Sequence, residues 1–468
     1  MSYESETGWL ADLIYVEGRF ESGHAMFVDK SGRITRFSNA PDDLAGAHKL
    51  PNRAIVPGLI NCHSHSFQRV IRGRTEHRST AARDTFWTWR EAMYHAANLL
   101  SPEDIYRVAR AAFLEMALSG ITTVGEFHYL HNAPDGSRYE NPNLLGLQVI
   151  RAASEIGVRV ALLRTAYARA GWQKPANPGQ ARFITSCAET FVQDTEALRE
   201  AIPRCSRPGF VWLGIAPHSV RAVPIDYVSE ITSYARKNGL AIHMHVAEQP
   251  GEIEQCVAEY GVRPIELLTR RDVLDASFTC IHAIHITADE IRHLEATKAH
   301  VCACPTSERN LGDGAVSADR LMQAGVNICL GSDSNVQIDL LEDARLLDYH
   351  LRMNKLERAV LTPASGENRL AQLLFASATE RGADALKAPG GVLGAGRPAD
   401  FFTIDLNDVS IAGAGNSLLE NIVFSLERTA VRDVFVNGEP VVQDGRHALQ
   451  DAVLSEFEAV QRRVWNDR

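Results

Sequence analysis

Between about residues 100 and 355 the chain alternates two patterns of apolar and polar positions. Apolar residues recur on a helical period over 102–119, 144–157, 186–202, 225–238, 288–297 and 340–354, which predicts amphipathic helices there. Short β-branched or apolar runs lie between them, at 122–127, 159–166, 211–216, 241–247, 278–284, 300–303 and 327–330. With the run 54–62 at the front they make eight strands. Strands alternating with helices are the pattern of a parallel sheet, and eight such units predict an α/β fold with a TIM-like (β/α)8 barrel.

The flanks carry a different pattern. Residues 1–53 hold short alternating runs, 24–28 and 33–37, separated by turn residues. A second β-rich piece follows PGGVLGAGRPAD (389–400), with runs at 401–404, 431–436 and 440–442. Neither flank buries much apolar surface alone, so both chain ends are expected to pair into one small composite β-sandwich domain. The predicted organisation is 1–56 and 389–446 as the two parts of that domain, 57–388 as the barrel, and 447–468 as a terminal amphipathic helix.

Composition narrows the function classes. The 468 residues include 48 Lys and Arg against 58 Asp and Glu, a formal net charge of −10. An acidic balance spread along the chain argues against a protein that tracks nucleic-acid phosphates or anionic membranes. With 45% hydrophobic and 23% charged residues the chain reads as soluble and globular. The first twenty residues lack the basic start and apolar centre of a signal peptide, and no apolar run approaches the roughly 20 residues of a membrane span. Eight scattered cysteines without a C-x-x-C pair predict neither a disulfide framework nor a zinc ribbon, and a cytoplasmic location is expected. Cys302 and Cys304 alternate on one run and are expected to be core residues.

The candidate chemistry lies where the runs end. Residues two apart on a strand point to one side, so His63 and His65 in Asn61-Cys62-His63-Ser64-His65 can present both imidazoles to one cation. A pair of satisfied or exposed histidines is the plain alternative. The run 241–247 holds a second such pair, His243 and His245, followed by Glu248; His245 is expected to reach a metal, and His243 to orient a ligand or serve the fold. The run 278–284 passes through His282, and 327–330 leads into Gly331-Ser332-Asp333-Ser334. In such barrels active sites are built at the carboxyl ends of the strands from residues far apart in sequence, and all these residues have that placement.

His63, His65, His245 and Asp333 supply three imidazole nitrogens and one carboxylate oxygen. That set predicts one divalent ion, Zn2+ first, with a position left for water; iron and manganese accept the same donor types. Binuclear versions of such a site need a bridging carboxylated lysine on a middle strand. The runs ending at Ala216 and His245 offer no lysine, and His218 occupies the place where one would sit, so a mononuclear site is expected.

These residues lie in the stretches PGLINCHSHSFQR (57–69), FWTWRE (86–91), EFHYLH (126–131), PHSVRAV (217–223), HVAEQ (245–249), CIHAIH (280–285), NLGDG (310–314) and GSDS (331–334). Together they resemble the amidohydrolase superfamily and, within it, the N-formimino-L-glutamate iminohydrolases (formimidoylglutamate deiminases) of histidine degradation. The resemblance implies a metal-dependent hydrolase of linear amidines that converts N-formimino-L-glutamate to N-formyl-L-glutamate and ammonia by attack of metal-bound hydroxide on the formimino carbon. Asp333 and His282 are then expected to accept or orient the proton of that hydroxide, and Glu248 to protonate the imino nitrogen and then the departing amine. A solvated loop carboxylate and a core histidine are the plain alternatives for Glu248 and His282.

A small-molecule dicarboxylate needs cationic partners. Arg221 carries a planar fork suited to a paired carboxylate contact, and Gln68, Arg90, Tyr129 and His218 match the family's remaining substrate contacts. The arginines at 69, 72, 74, 78 and 83 are expected to be mostly surface charges. His128, His131 and His285 receive no ligand role. Two departures from the family pattern bear on substrate contacts: Thr306-Ser307-Glu308-Arg309-Asn310 where Ser-Thr-Glu-Ala-Asn is usual, and Asn335 where a histidine usually follows GSDS. The resemblance also implies a homodimer. Two rival readings are an aminohydrolase of the same superfamily acting on a purine or another heterocycle, with an apolar stacking pocket, and a non-catalytic barrel that has lost metal or proton-transfer residues.

Overall fold

A computed structural model describes residues 6–78, 84–362 and 369–466. Eight parallel strands form the barrel: β1 (Leu59–Ser64), β2 (Ile121–His128), β3 (Arg159–Ala166), β4 (Val211–Pro217), β5 (Ala241–Val246), β6 (Phe278–His282), β7 (His300–Ala303) and β8 (Ile328–Leu330). They neighbour one another in chain order. Apart from Trp212 every residue in them is buried, which is why they read as apolar runs rather than as a strict alternation. The ring closes where the last strand meets the first: the Asp333 amide donates to the His63 carbonyl and the His65 amide to the Asp333 carbonyl, both at 2.9 Å. The closing residues are thus three of the four predicted ligands.

The predicted helices form close to their expected limits. Pro102–Leu118 starts from a capping box, with the Ser101 amide donating to Asp104 Oδ2 at 2.8 Å and the Asp104 amide to Ser101 Oγ at 3.2 Å. One helix that the periodicity does not reveal, Phe86–Leu99, is capped by Thr85 and carries FWTWRE. Phe86, Trp89 and Tyr94 on it line the pocket described below, so its apolar face does not read as an ordinary core stripe.

The front run breaks in two. His48–Pro57 belongs to a separate sheet, and β1 begins only at Leu59. The hinge is Gly58: a Cβ there would lie 2.3 Å from Thr122 Oγ1, so only glycine lets the chain pass so close to β2. His48–Pro57 pairs in parallel with Thr7–Val16 and antiparallel with Phe401–Asp405, so strands from both chain ends share one eight-stranded sheet. Arg159 at the start of β3 ties this sheet to the barrel through Asp400, with Nε to Oδ2 at 2.7 Å and Nη2 to Oδ1 at 3.0 Å. The helix Glu380–Leu386 covers the opposite end of the barrel from the site. There His243 Nε2 donates to the Ala385 carbonyl at 3.1 Å, so this histidine serves the fold. The terminal helix Gln450–Trp465 docks beside the loop after β1, where Gln461 and Trp465 side chains both donate to the Val70 carbonyl. Among the described residues no helix is long and apolar enough to cross a membrane.

Candidate metal centre and substrate pocket

Four side chains converge at the carboxyl mouth of the barrel. The ligand atoms of His63, His65, His245 and Asp333 all lie within 4.8 Å of one another, and all four residues are buried. The backbone is strained around them, with Asp333 at φ 45°, His282 at 71°, Ala283 at 49° and Ala247 at 54°. Non-glycine residues adopt this left-handed region at a cost, and such strain clusters where surrounding structure fixes side chains for function.

Tautomers identify what the cluster can hold. His65 Nδ1 lies 2.9 Å from the Phe127 carbonyl and His245 Nδ1 lies 3.0 Å from the His218 carbonyl. A carbonyl only accepts, so both histidines carry their proton on Nδ1 and turn an Nε2 lone pair inward. Those two Nε2 atoms are 3.4 Å apart. Two lone pairs at that separation repel unless a cation lies between them. Burial also pushes His65 and His245 below the usual histidine range and His63 to about 3, so protonation does not supply that cation. Asp333 Oδ1 sits 3.1 Å from His63 Nε2 and 3.4 Å from His65 Nε2. Tetrahedral zinc with bonds of about 2.0–2.1 Å sets neighbouring donors about 3.3 Å apart. The donor set therefore fits a metal ion in both chemistry and spacing.

Glu248 and His282 stand beside this cluster, with His282 Nε2 3.8 Å from Glu248 Oε1. Burial raises Glu248 above the usual carboxyl range, which favours its protonated form. Burial lowers His282, but Glu248, Glu308 and Asp333 outweigh it and bring the imidazole up to about 10. Two buried carboxylates to which the sequence assigns no role support this pair. Glu252 accepts from the amides of Ala247 and Glu248 at 3.1 and 3.4 Å, and Glu308 faces His282 Nδ1 at 3.2 Å. Spacing could have suggested them only as ordinary first-turn helix acids.

Gln68, Arg90, Tyr129, His218 and Arg221 all line one pocket together with His65, His245, Glu248 and Asp333. Gln68 Nε2 donates to the Tyr129 hydroxyl at 2.8 Å. Arg90 lies 4.5 Å over the Trp87 ring, and Arg221 approaches the same ring at 5.8 Å. Nε and Nη1 of Arg90 and Nη1 of Arg221 are buried without a hydrogen-bond partner among the described residues. Tyr94 and Tyr167 complete the wall, both accepting from Gln180 Nε2.

The remaining candidates lie outside the cluster. His131 donates to the Thr165 carbonyl and His285 to the Asp313 carbonyl, while His128 is buried away from the four donors. Arg69 is buried, not a surface charge, and bridges Glu115 to the Asn335 and Val336 carbonyls. Arg83 lies outside the described residues. Asn335 is locked into the barrel seam through Ser64 and Ser332, and Arg309 points to Gln337 and Glu342 on the surface side. Neither residue lines the pocket, so these two departures from the family pattern leave its wall unchanged.

Comparisons with known proteins agree with this geometry. A family model described as amidohydrolase family matches residues 54–441. Formimidoylglutamate deiminase of Pseudomonas aeruginosa is 36% identical over 419 residues, covering 89% of this chain and 91% of that protein. A 5-methylthioadenosine/S-adenosylhomocysteine deaminase of Halalkalibacterium halodurans is 28% identical over 416 residues, 86% of this chain and 84% of its own. Among solved structures, an amidohydrolase from Brucella melitensis superposes with a TM-score of 0.89 at 33% identity, covering 99% of this chain and all of that one.

Proposed function

The chain belongs to the amidohydrolase family, a family of metal-dependent hydrolases of C–N bonds, and from that premise we propose that it deiminates N-formimino-L-glutamate to N-formyl-L-glutamate and ammonia in histidine degradation. The observation that carries the proposal is the pair of arginines, half-buried Arg90 and buried Arg221, with enclosed N–H groups lacking partners among the described residues in a pocket that ends on Glu248 and Asp333. Two guanidinium groups with enclosed N–H donors left over suit a ligand with two carboxylates. The 36% identity to the Pseudomonas deiminase supports the same substrate.

His63, His65, His245 and Asp333 would hold one zinc ion, which when bound polarises water and lowers its pKa toward neutrality. The protein's own residues do the rest. Arg90 and Arg221 bind the carboxylates, with Gln68, Tyr129 and His218 completing the contacts. This fixes the formimino carbon over the donor cluster and removes the translational freedom of a bimolecular reaction. As the water oxygen bonds to that carbon, Asp333 accepts its proton, and His282, which already holds a proton of its own, orients the oxygen through Nε2–H. Glu248, whose hold on a proton burial strengthens, gives that proton to the imino nitrogen and then relays to the same nitrogen a second one, released by the former water as the C=O bond forms and the C–N bond breaks. Ammonia leaves and the formyl group remains.

Five aromatic residues, Phe86, Trp89, Tyr94, Tyr129 and Tyr167, also line the pocket, and this favours a second reading as a nucleoside deaminase. Ammonia release from formiminoglutamate and from 5-methylthioadenosine by the same zinc-loaded protein separates the two. Turnover of the purine alone overturns the first reading. A cytoplasmic homodimer completes the proposal, and light scattering on the purified protein tests the assembly.

A further inference from the structure

Glu308 has no part in the chemistry above, yet it is among the most enclosed carboxylates of the protein, 1% exposed. It lies in the short helix Pro305–Leu311 after β7, and Oε1 accepts from the Cys304 amide at 2.9 Å. The same oxygen faces His282 Nδ1 at 3.2 Å. His282, Cys304 and Glu308 bring their ligand atoms within 4.8 Å of one another, the spacing of a second cation site. Burial pushes the Cys304 thiol well above its usual range, so beside Glu308 it stands as a neutral neighbour in the metal-free protein. Glu308 is moreover committed to the Cys304 amide. The cluster therefore fits a hydrogen-bonded support better than a second metal.

We infer that Glu308 is the positioning residue of the reaction: it accepts the Nδ1–H of His282 and so turns Nε2 of that ring toward Glu248 and the reacting water. The inference rests on the deiminase reading. The His282 backbone, at φ 71°, aims the ring, but a ring can still flip about its χ2 bond. Only one orientation puts Nδ1 on Glu308 and Nε2 3.8 Å from Glu248 Oε1. Carboxylates that hold a functional histidine through its second nitrogen are worth about 10–100-fold when removed from metal sites.

The test is a double-mutant cycle in the full-length, zinc-loaded enzyme. Glu308→Ala is expected to lower kcat for formiminoglutamate by about 10–100-fold, with KM nearly unchanged and one zinc per chain retained. Glu308→Gln, whose amide oxygen still accepts the Nδ1 proton, should lose less. In a His282→Asn background the Glu308→Ala change should cost almost nothing further. An equal loss in both backgrounds, or two zinc ions in the wild type falling to one in Glu308→Ala, overturns the inference. Nitrogen-15 histidine spectra, with His282 assigned by its disappearance in His282→Asn, read the same contact without turnover. Nδ1 of His282 should be protonated in the wild type and should change state in Glu308→Ala; an unchanged signal also overturns the inference. A wild type that releases no ammonia from formiminoglutamate instead defeats the functional reading, and the spectra still decide the role of Glu308.

Discussion

Replacing Arg221 with methionine isolates one carboxylate contact from the rest of the site. The residue is 7% exposed and its Nη1 has no hydrogen-bond partner among the described residues, so the change breaks no ion pair that the described residues show. The loop that carries it is held independently, because Arg169 donates to the Arg221 and Val220 carbonyls at 3.1 and 3.3 Å. The loss therefore falls on bound substrate. Removing one partner of a buried charge pair costs about 3–5 kcal/mol. At about 1.36 kcal/mol per tenfold in rate, kcat/KM for formiminoglutamate should fall by about 10² to 10⁴. Two mono-acid substrates give the control: N-formimino-γ-aminobutyrate lacks the α-carboxylate, and N-formimino-L-2-aminobutyrate lacks the side-chain one. Ammonia release should show that one of them, missing the carboxylate that Arg221 binds, is nearly indifferent to the substitution. Equal losses on all three substrates would refute the assignment and make Arg221 a residue of the fold.

Further outcomes follow from the same geometry. Glu248→Gln should cut kcat by about 10² to 10⁴ while zinc measured by mass spectrometry stays at the wild-type level; undiminished turnover removes Glu248 from the mechanism. Chelation should abolish turnover and lower the melting temperature, since the His65 and His245 lone pairs then face each other directly, and zinc should restore both. Arg159→Ala leaves Asp400 buried and unpaired and should destabilise the protein by about 3–5 kcal/mol in denaturant titrations. Burial raises Glu252 to about 7, above its unfolded value near 4.5, so the folded chain keeps a proton that the unfolded chain has released. Its contribution to stability therefore falls as pH rises through that window, and Glu252→Gln should gain in melting temperature relative to the wild type between pH 5 and 7.5. A constant difference contradicts the raised pKa.

Much of this architecture is legible in the sequence because burial on both faces writes the barrel strands as apolar runs, and because period-2 geometry puts His63 and His65 on one side. The end of each run marks the carboxyl mouth, which is why Glu248, His282 and Asp333 can be read as neighbours of His245. Other features depend on contacts that no local pattern encodes. The break at Gly58 follows from the closeness of Thr122, sixty-four residues on. Arg69 reads like its exposed neighbours in the basic run, yet it is buried because the Asn335 and Val336 carbonyls come to it from the far side of the seam. The support of His282 by Glu308 spans two strand ends and is invisible in either segment alone.

The most direct test of the central claim is product identification with the zinc-loaded enzyme and isotopically labelled N-formimino-L-glutamate. The arrangement of Glu248 beside the donor cluster predicts equal amounts of ammonia and N-formyl-L-glutamate. Formamide and glutamate would mean that the other C–N bond is cut, and no product would mean that the two arginines serve a different anion.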